Sequence, residues 1–277
     1  MKILDRTPAL AFVGAILGFT TLFGAATAFA DEPEHSYSTM YIFGDSLSDS
    51  GNAFALNGQT ANPPFEEIPS AAYGVGGHHF SNGKTWVEVL AAELKLVESA
   101  KPAFRDPSFG NFAVAGARAT GGTAPSFTVQ VGYFFAVTSA YRDPDALYVV
   151  QFGGNDVRDA INQAAVAIFF GADPAVAIYN ATVDVLLPAA TATADNIEAL
   201  VGAGAQHLLI ASSPNLGVAP AVPFDAKPIA YALSDTFNAF LTQQLVARGI
   251  AYETLDLFTI VSQMSANPGG YGLSDGT

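Results

Sequence analysis

Three short stretches hold residue types suited to nucleophilic chemistry. The first is Gly44-Asp45-Ser46-Leu47-Ser48-Asp49-Ser50-Gly51-Asn52. Ser46 comes directly after an apolar run, so it sits just past a strand's carboxyl end, at the turn into a helix. There its own N–H can face an oxyanion, and the helix terminus favours negative charge. The second stretch is Gly153-Gly154-Asn155-Asp156, where the Asn155 side-chain N–H is a good oxyanion donor. The third is Ala113-Val114-Ala115-Gly116-Ala117, where Gly116 lets backbone come close to a ligand. Each has a plainer reading. The first is a Ser/Asp-rich turn that caps a helix. The second is a Gly-Asn turn with Asp156 as cap. The third is a bend. Singly, none separates chemistry from capping. Three such ends in one parallel sheet would converge on one site.

The elements that must position them read as strands alternating with helices. Met40-Tyr41-Ile42-Phe43 ends at Gly44, a buried-strand pattern. Ala146 to Phe152 is a second run, and His207 to Ala211 a third. Residues 251–258 suggest a fourth, and 111–115 one more short strand. After Ser81, a candidate N-cap, residues 84–95 place Trp86, Leu90 and Leu94 on one helical face. Residues 174–204 read as a long helix with a kink or break expected at Pro188. Residues 229–247 set Leu233, Phe237, Phe240, Leu241 and Leu245 at helical spacing. Near-continuous apolar strands between helices predict a parallel sheet covered on both faces. Ligand sites in such sheets lie at the carboxyl ends of the strands. No repeat or low-complexity linker divides the chain, so one domain is expected.

Composition narrows the function. Half of the 277 residues are hydrophobic and 12% aromatic, which excludes a disordered or collagen-like chain. The formal net charge of -14 repels phosphate backbones and argues against nucleic-acid binding. Without cysteine there is no disulfide, thiol nucleophile or cysteine zinc site. Lys2 and Arg6 precede an uncharged run from Thr7 to Ala30 that ends in Ala28-Phe29-Ala30. This predicts a signal peptide over residues 1–30, cleaved after Ala30 to leave an exported domain over 31–277. The run is also long enough to be a retained membrane anchor, which stays open as the alternative.

The three stretches, in this order, resemble the blocks of the GDSL esterase/lipase family, the SGNH hydrolases. Ser46 in Gly44-Asp45-Ser46-Leu47 matches the nucleophile block. Gly116 looks like the glycine block, and Asn155 in Gly153-Gly154-Asn155-Asp156 the Gly-x-Asn-Asp block. Phe80-Ser81-Asn82-Gly83-Lys84-Thr85-Trp86 and Pro214-Asn215-Leu216-Gly217-Val218-Ala219-Pro220 resemble lesser family features. The resemblance covers roughly residues 38–275. It implies a three-layer α/β/α fold with a parallel, flavodoxin-like central sheet. It implies a serine ester hydrolase acting on a small-molecule or lipid ester, which the cleaved leader would make secreted or periplasmic. Ser46 would form the acyl-enzyme, and Ser46, Gly116 and Asn155 would hold the oxyanion. No metal, organic cofactor or obligatory protein partner is implied.

One family block has no match. An Asp-x-x-His near the carboxyl end would supply the general base and the carboxylate that orients it. The four histidines are His35, His78, His79 and His207, and none follows an Asp by three residues. His207 begins a predicted strand, at the end of the sheet away from the site. His78 and His79 lie in a glycine-rich loop that could line a pocket rim. The expectation is a chain cut some tens of residues short of that block, with a natural pseudoenzyme as the alternative. Two further readings stay open. One is an SGNH-fold carbohydrate- or lipid-binding module without turnover. The other is the passenger part of an outer-membrane autotransporter.

Overall fold

The computed structural model describes residues 36–57, 81, 83–138 and 143–276. The expected leader, residues 1–30, lies outside the described residues. In chain order the elements are β1 (Met40–Gly44), α1 (Asn52–Leu56), α2 (Trp86–Glu93), α3 (Phe127–Val137), β2 (Leu147–Gln151) and α4 (Gly154–Phe169). They continue with α5 (Pro174–Ala181), a π turn (Thr182–Leu186), α6 (Leu187–Gly202), β3 (His207–Ala211), α7 (Lys227–Ala247), β4 (Glu253–Leu255) and α8 (Leu257–Ala266).

The four strands pair in the order β1-β2-β3-β4, all parallel, with Met40 beside Leu147 and Leu147 beside His207. The predicted strand at 111–115 runs along the free edge of β1. Ile42 N–H donates to Gly110 O (2.9 Å), Phe112 N–H to Ile42 O (2.7 Å) and Val114 N–H to Gly44 O (3.0 Å). It forms isolated bridges and no full strand. The reason is local: the Asn111 carbonyl oxygen of the side chain takes the Ala113 N–H at 2.9 Å, a turn that competes with a ladder. With this segment counted, the strand order is 2-1-3-4-5, the flavodoxin-like arrangement. The fold is thus a three-layer α/β/α sandwich.

Every residue of β2 is buried, as a central strand covered on both faces requires. On one face α3, α4, α6 and α7 enclose Phe43, Phe112, Phe127, Phe134, Tyr148, Phe152 and Phe237. On the other, α2 covers Met40, Ile42, Leu147 and Val149, and α8 brings Leu257 against Ala211 and Leu255.

Three expectations are corrected in detail. The N-cap of α2 is Thr85, not Ser81, because Thr85 and Glu88 form a reciprocal capping box. The fourth strand shrinks to residues 253–255, because the Asp256 carboxylate caps α8 by accepting the Thr259 N–H at 3.0 Å. The long helix does not break at Pro188. A proline removes one N–H and crowds the carbonyl four residues earlier, here that of Asp184. The π turn at Thr182–Leu186 absorbs that crowding and lets the helix run on.

Candidate active site

The nucleophile candidate sits on a turn built almost wholly by carboxylate and amide side chains. Ser46 is half-buried, and among the described residues neither its hydroxyl nor its N–H has a hydrogen-bond partner. The Asp45 carboxylate holds the turn by accepting the Leu47 N–H at 3.0 Å. Four residues on, the buried Asp49 carboxylate accepts the N–H groups of Gly51 (2.7 Å), Asn52 (2.6 Å) and Ala53 (3.0 Å). It thereby satisfies the free donors at the start of α1. It also takes the Ala115 N–H at 2.8 Å. That bond ties the Ser46 stretch to the Gly116 stretch.

Two buried asparagines repeat the tie. Asn52 donates to the carbonyls of Asn111 (2.7 Å) and Ala113 (2.8 Å). Asn111 donates to the Ser48 carbonyl (2.8 Å) and the Ser50 hydroxyl (3.0 Å). Gly116 follows with φ 79, a conformation that favours glycine, and its N–H also has no partner among the described residues.

Asn155 stands in the first turn of α4. The chain reaches it through Gly153, at φ 112, where an added Cβ would lie 2.3 Å from the Phe237 ring. One hydrogen of the buried Asn155 amide goes to the Ala117 carbonyl at 2.9 Å. An amide has two such hydrogens, so one donor is left over among the described residues. Asp156 accepts the Ala119 N–H at 3.2 Å. Arg118 pairs with Asp159 through Nε and Nη2, and its Nη1 donates to the Gly116 carbonyl at 3.2 Å. Hydrogen bonds therefore tie the stretches that carry Ser46, Gly116 and Asn155 to one another at the carboxyl end of the sheet. Together these stretches carry one hydroxyl and three N–H groups without a partner among the described residues, the kinds of group that hold an oxygen anion when they converge.

Below the turn runs a polar relay that sequence reading missed. Trp86 Nε1 donates to the Ser48 hydroxyl (3.1 Å), which donates to Gln151 Oε1 (3.1 Å). Gln151 Nε2 in turn donates to the Asp45 carboxylate (3.3 Å). Gln130 is the other unforeseen residue: its amide accepts the Gly44 N–H (3.0 Å) and donates to the Gly44 carbonyl (2.9 Å). For Gln151 the available signal was its place closing the otherwise apolar strand β2, which is costly unless hydrogen-bonded. Burial pushes Asp45 up to about 6 against the pull of the Leu47 N–H and the Gln151 amide. Burial likewise raises Asp49, and it pushes Asp156 up to about 7.

His207 opens β3 at the amino end of the sheet, with its ring 5.4 Å from that of Tyr37 and edge-on to it, far from Ser46. His35, His78 and His79 lie outside the described residues. Among the described residues no three His, Asp or Glu side chains group as metal ligands.

A family model described as GDSL-like Lipase/Acylhydrolase matches residues 40–276. Lipase 1 of Photorhabdus luminescens is 28% identical over 193 residues, which cover 68% of this chain and 24% of that protein. The chain thus spans about a quarter of the length of that curated relative. An extracellular lipase from Streptomyces rimosus superposes with a TM-score of 0.44 and 15% identity, over 79% of this chain and 81% of that one. An α/β hydrolase enzyme from the metagenome of Lake Arreo, Spain, does so with a TM-score of 0.41 and 13% identity, over 77% and 75%.

Proposed function

The chain belongs to the GDSL-like lipase/acylhydrolase family, and from that premise we propose that it is an exported serine ester hydrolase with Ser46 as nucleophile. What supports this reading is that the stretches bearing Ser46, Gly116 and Asn155 are hydrogen-bonded to one another while the Ser46 hydroxyl and the N–H groups of Ser46, Gly116 and Asn155 keep no partner for at least one hydrogen each among the described residues. Ser46 Oγ attacks an ester carbonyl and its proton passes to a base. The carbonyl oxygen becomes an anion, which the three donors hold. Loss of the alcohol leaves an acyl-serine, and water then releases the acid. Each donor contributes roughly 3–4 kcal/mol to the transition state. The base would be the histidine of the family's Asp-x-x-His block, which has no match in this sequence. Asp45, Asp49 and Asp156 do not replace it, because each is committed to backbone N–H groups, those of Asp45 and Asp49 in their own turn and that of Asp156 at Ala119. The substrate is a small-molecule or lipid ester, and no cofactor takes part. The uncharged leader is removed after Ala30 on export.

The test is covalent labelling with a fluorophosphonate, together with hydrolysis of a short-chain nitrophenyl ester. Labelling that maps to Ser46 and is lost in Ser46→Ala supports the reading. Loss in Ser48→Ala or Ser50→Ala with Ser46→Ala still labelled removes the nucleophile assignment. One observation favours a second reading, a binding module of the same fold: no described histidine stands at the site. Full-length protein that binds an ester but neither labels nor turns it over would establish that reading instead.

A further inference from the structure

The hairpin made by α4 and α5 ends in two phenylalanines that the hydrolase reading does not use. The helix formed by α5, the π turn and α6 spans 29 residues, Pro174–Gly202. At 1.5 Å per residue it is about 43 Å long. Its last residue stands just before His207, at the amino edge of the sheet. Five-residue strands cross the sheet in roughly 17 Å. The other end of the helix therefore overshoots the carboxyl edge by about 25 Å. α4 starts at that edge, right after β2, and packs antiparallel on the overshooting part. The Gln163 amide reaches the Asp184 carboxylate at 3.2 Å. Phe169 and Phe170 are thus at the far tip of a projection on the Ser46 side of the sheet.

Both rings are bare. Phe169 is 83% exposed and Phe170 80%, and they pack edge to face at 5.3 Å. Val166, Val176 and Tyr179 are exposed beside them. Phe224, 89% exposed, lies on the turn that leads from β3 into α7, at the same end of the molecule. Contiguous apolar surface of this kind marks an interaction site. Its charge restricts the partner. No lysine or arginine occurs between Arg158 and Lys227. The acids between 160 and 186 are Asp173 and Asp184. Asp173 is exposed and caps α5, taking the Ala175 N–H at 2.9 Å, so the tip carries negative charge and no positive charge of its own. An anionic surface would meet no cation at the tip and a net charge of -14 behind it. Two exposed rings with valine and tyrosine flanks suit the headgroup boundary of a lipid layer, where aromatic side chains settle.

We propose that the α4–α5 tip docks on an uncharged lipid–water interface, zwitterionic or neutral, and so turns the carboxyl end of the sheet toward the lipid. The docking stands without the hydrolase reading; only its value for delivering a lipid ester to Ser46 rests on it.

The experiment is flotation of the full chain with phosphatidylcholine vesicles, and with vesicles containing phosphatidylglycerol. The expected result is co-flotation with the former and weaker binding to the latter. The double substitution Phe169→Ser with Phe170→Ser lowers the partition coefficient at least tenfold, with circular dichroism and melting unchanged because both rings are exposed. Phe170→Ser alone gives a smaller loss and serves if the double variant is poorly folded. Absent flotation, or equal flotation of the variants, overturns the proposal. So does a concentration-dependent dimer that the double variant dissolves without any flotation, since the tip then covers a second copy. Flotation without ester turnover leaves the docking intact and counts against the hydrolase reading alone.

Discussion

Gln151→Leu tests whether the buried relay holds the Ser46 turn. Leucine fills a similar volume at the end of β2 but neither accepts from Ser48 nor donates to Asp45. Two hydrogen bonds vanish, at 3.1 and 3.3 Å. Each is worth about 1 kcal/mol net. The Asp45 carboxylate is then buried with one fewer donor, at a further cost of about 1–3 kcal/mol. The gain from burying leucine in place of an amide offsets part of this. The sum is a loss of about 2–4 kcal/mol, or roughly 5–15 °C in melting temperature for a domain of this size. Trp86 is the chain's single tryptophan, and its indole N–H donates to Ser48 at the head of the relay. Its emission should therefore report the change directly. The assay is thermal and urea unfolding followed by tryptophan emission and by far-ultraviolet circular dichroism. Gln151→Leu should move both midpoints and red-shift native Trp86 emission as Ser48 turns away. A loss below about 0.5 kcal/mol, the range of ordinary surface substitutions, with native emission unchanged, would refute the claim that the relay is a structural unit.

Four further outcomes follow from the same geometry. In an active, histidine-bearing form, Asn155→Ala should lower kcat by about 10²–10³, the loss found for one oxyanion donor, with KM changed far less. Gly153→Ala should cost about 2–5 kcal/mol in urea unfolding. It combines overpacking and backbone strain, because the new Cβ meets the Phe237 ring at 2.3 Å from a φ of 112. Stability should fall as pH rises from about 4 to 7. Asp45 at about 6 and Asp156 at about 7 both lie above the ordinary 3.8. The folded chain therefore holds more protons than the unfolded one in that window, and the stabilisation present below it is lost as pH passes the raised values. Urea midpoints of the parent and of Asp156→Asn across this range check it, and the variant should show a shallower slope. Amino-terminal sequencing of exported protein should begin at Asp31, while a start at Met1 in the membrane fraction would support the anchor.

Much of the architecture was legible because parallel strands buried on both faces write themselves as short apolar runs. Met40–Phe43, 146–152 and 207–211 were readable for that reason, and so was the place of Ser46 just after one of them. Helices with apolar spacing, such as α7, were equally plain. The sequence by itself also determined the family, since three short blocks in order are enough to identify it. Tertiary structure alone decided the rest. Asp49 binding Ala115, and Asn155 binding Ala117, join residues 66 and 38 positions apart, and no local pattern encodes such pairings. The relay from Trp86 to Asp45 needed α2, β1 and β2 to meet, so Trp86 read as an apolar residue and Gln151 as nothing. The exposure of Phe169 and Phe170 was hidden too: an apolar pair at a helix end reads as core until packing leaves it uncovered. A sequence records what each residue prefers to bury or bond. Which partner it receives depends on distances that exist only once the sheet has formed.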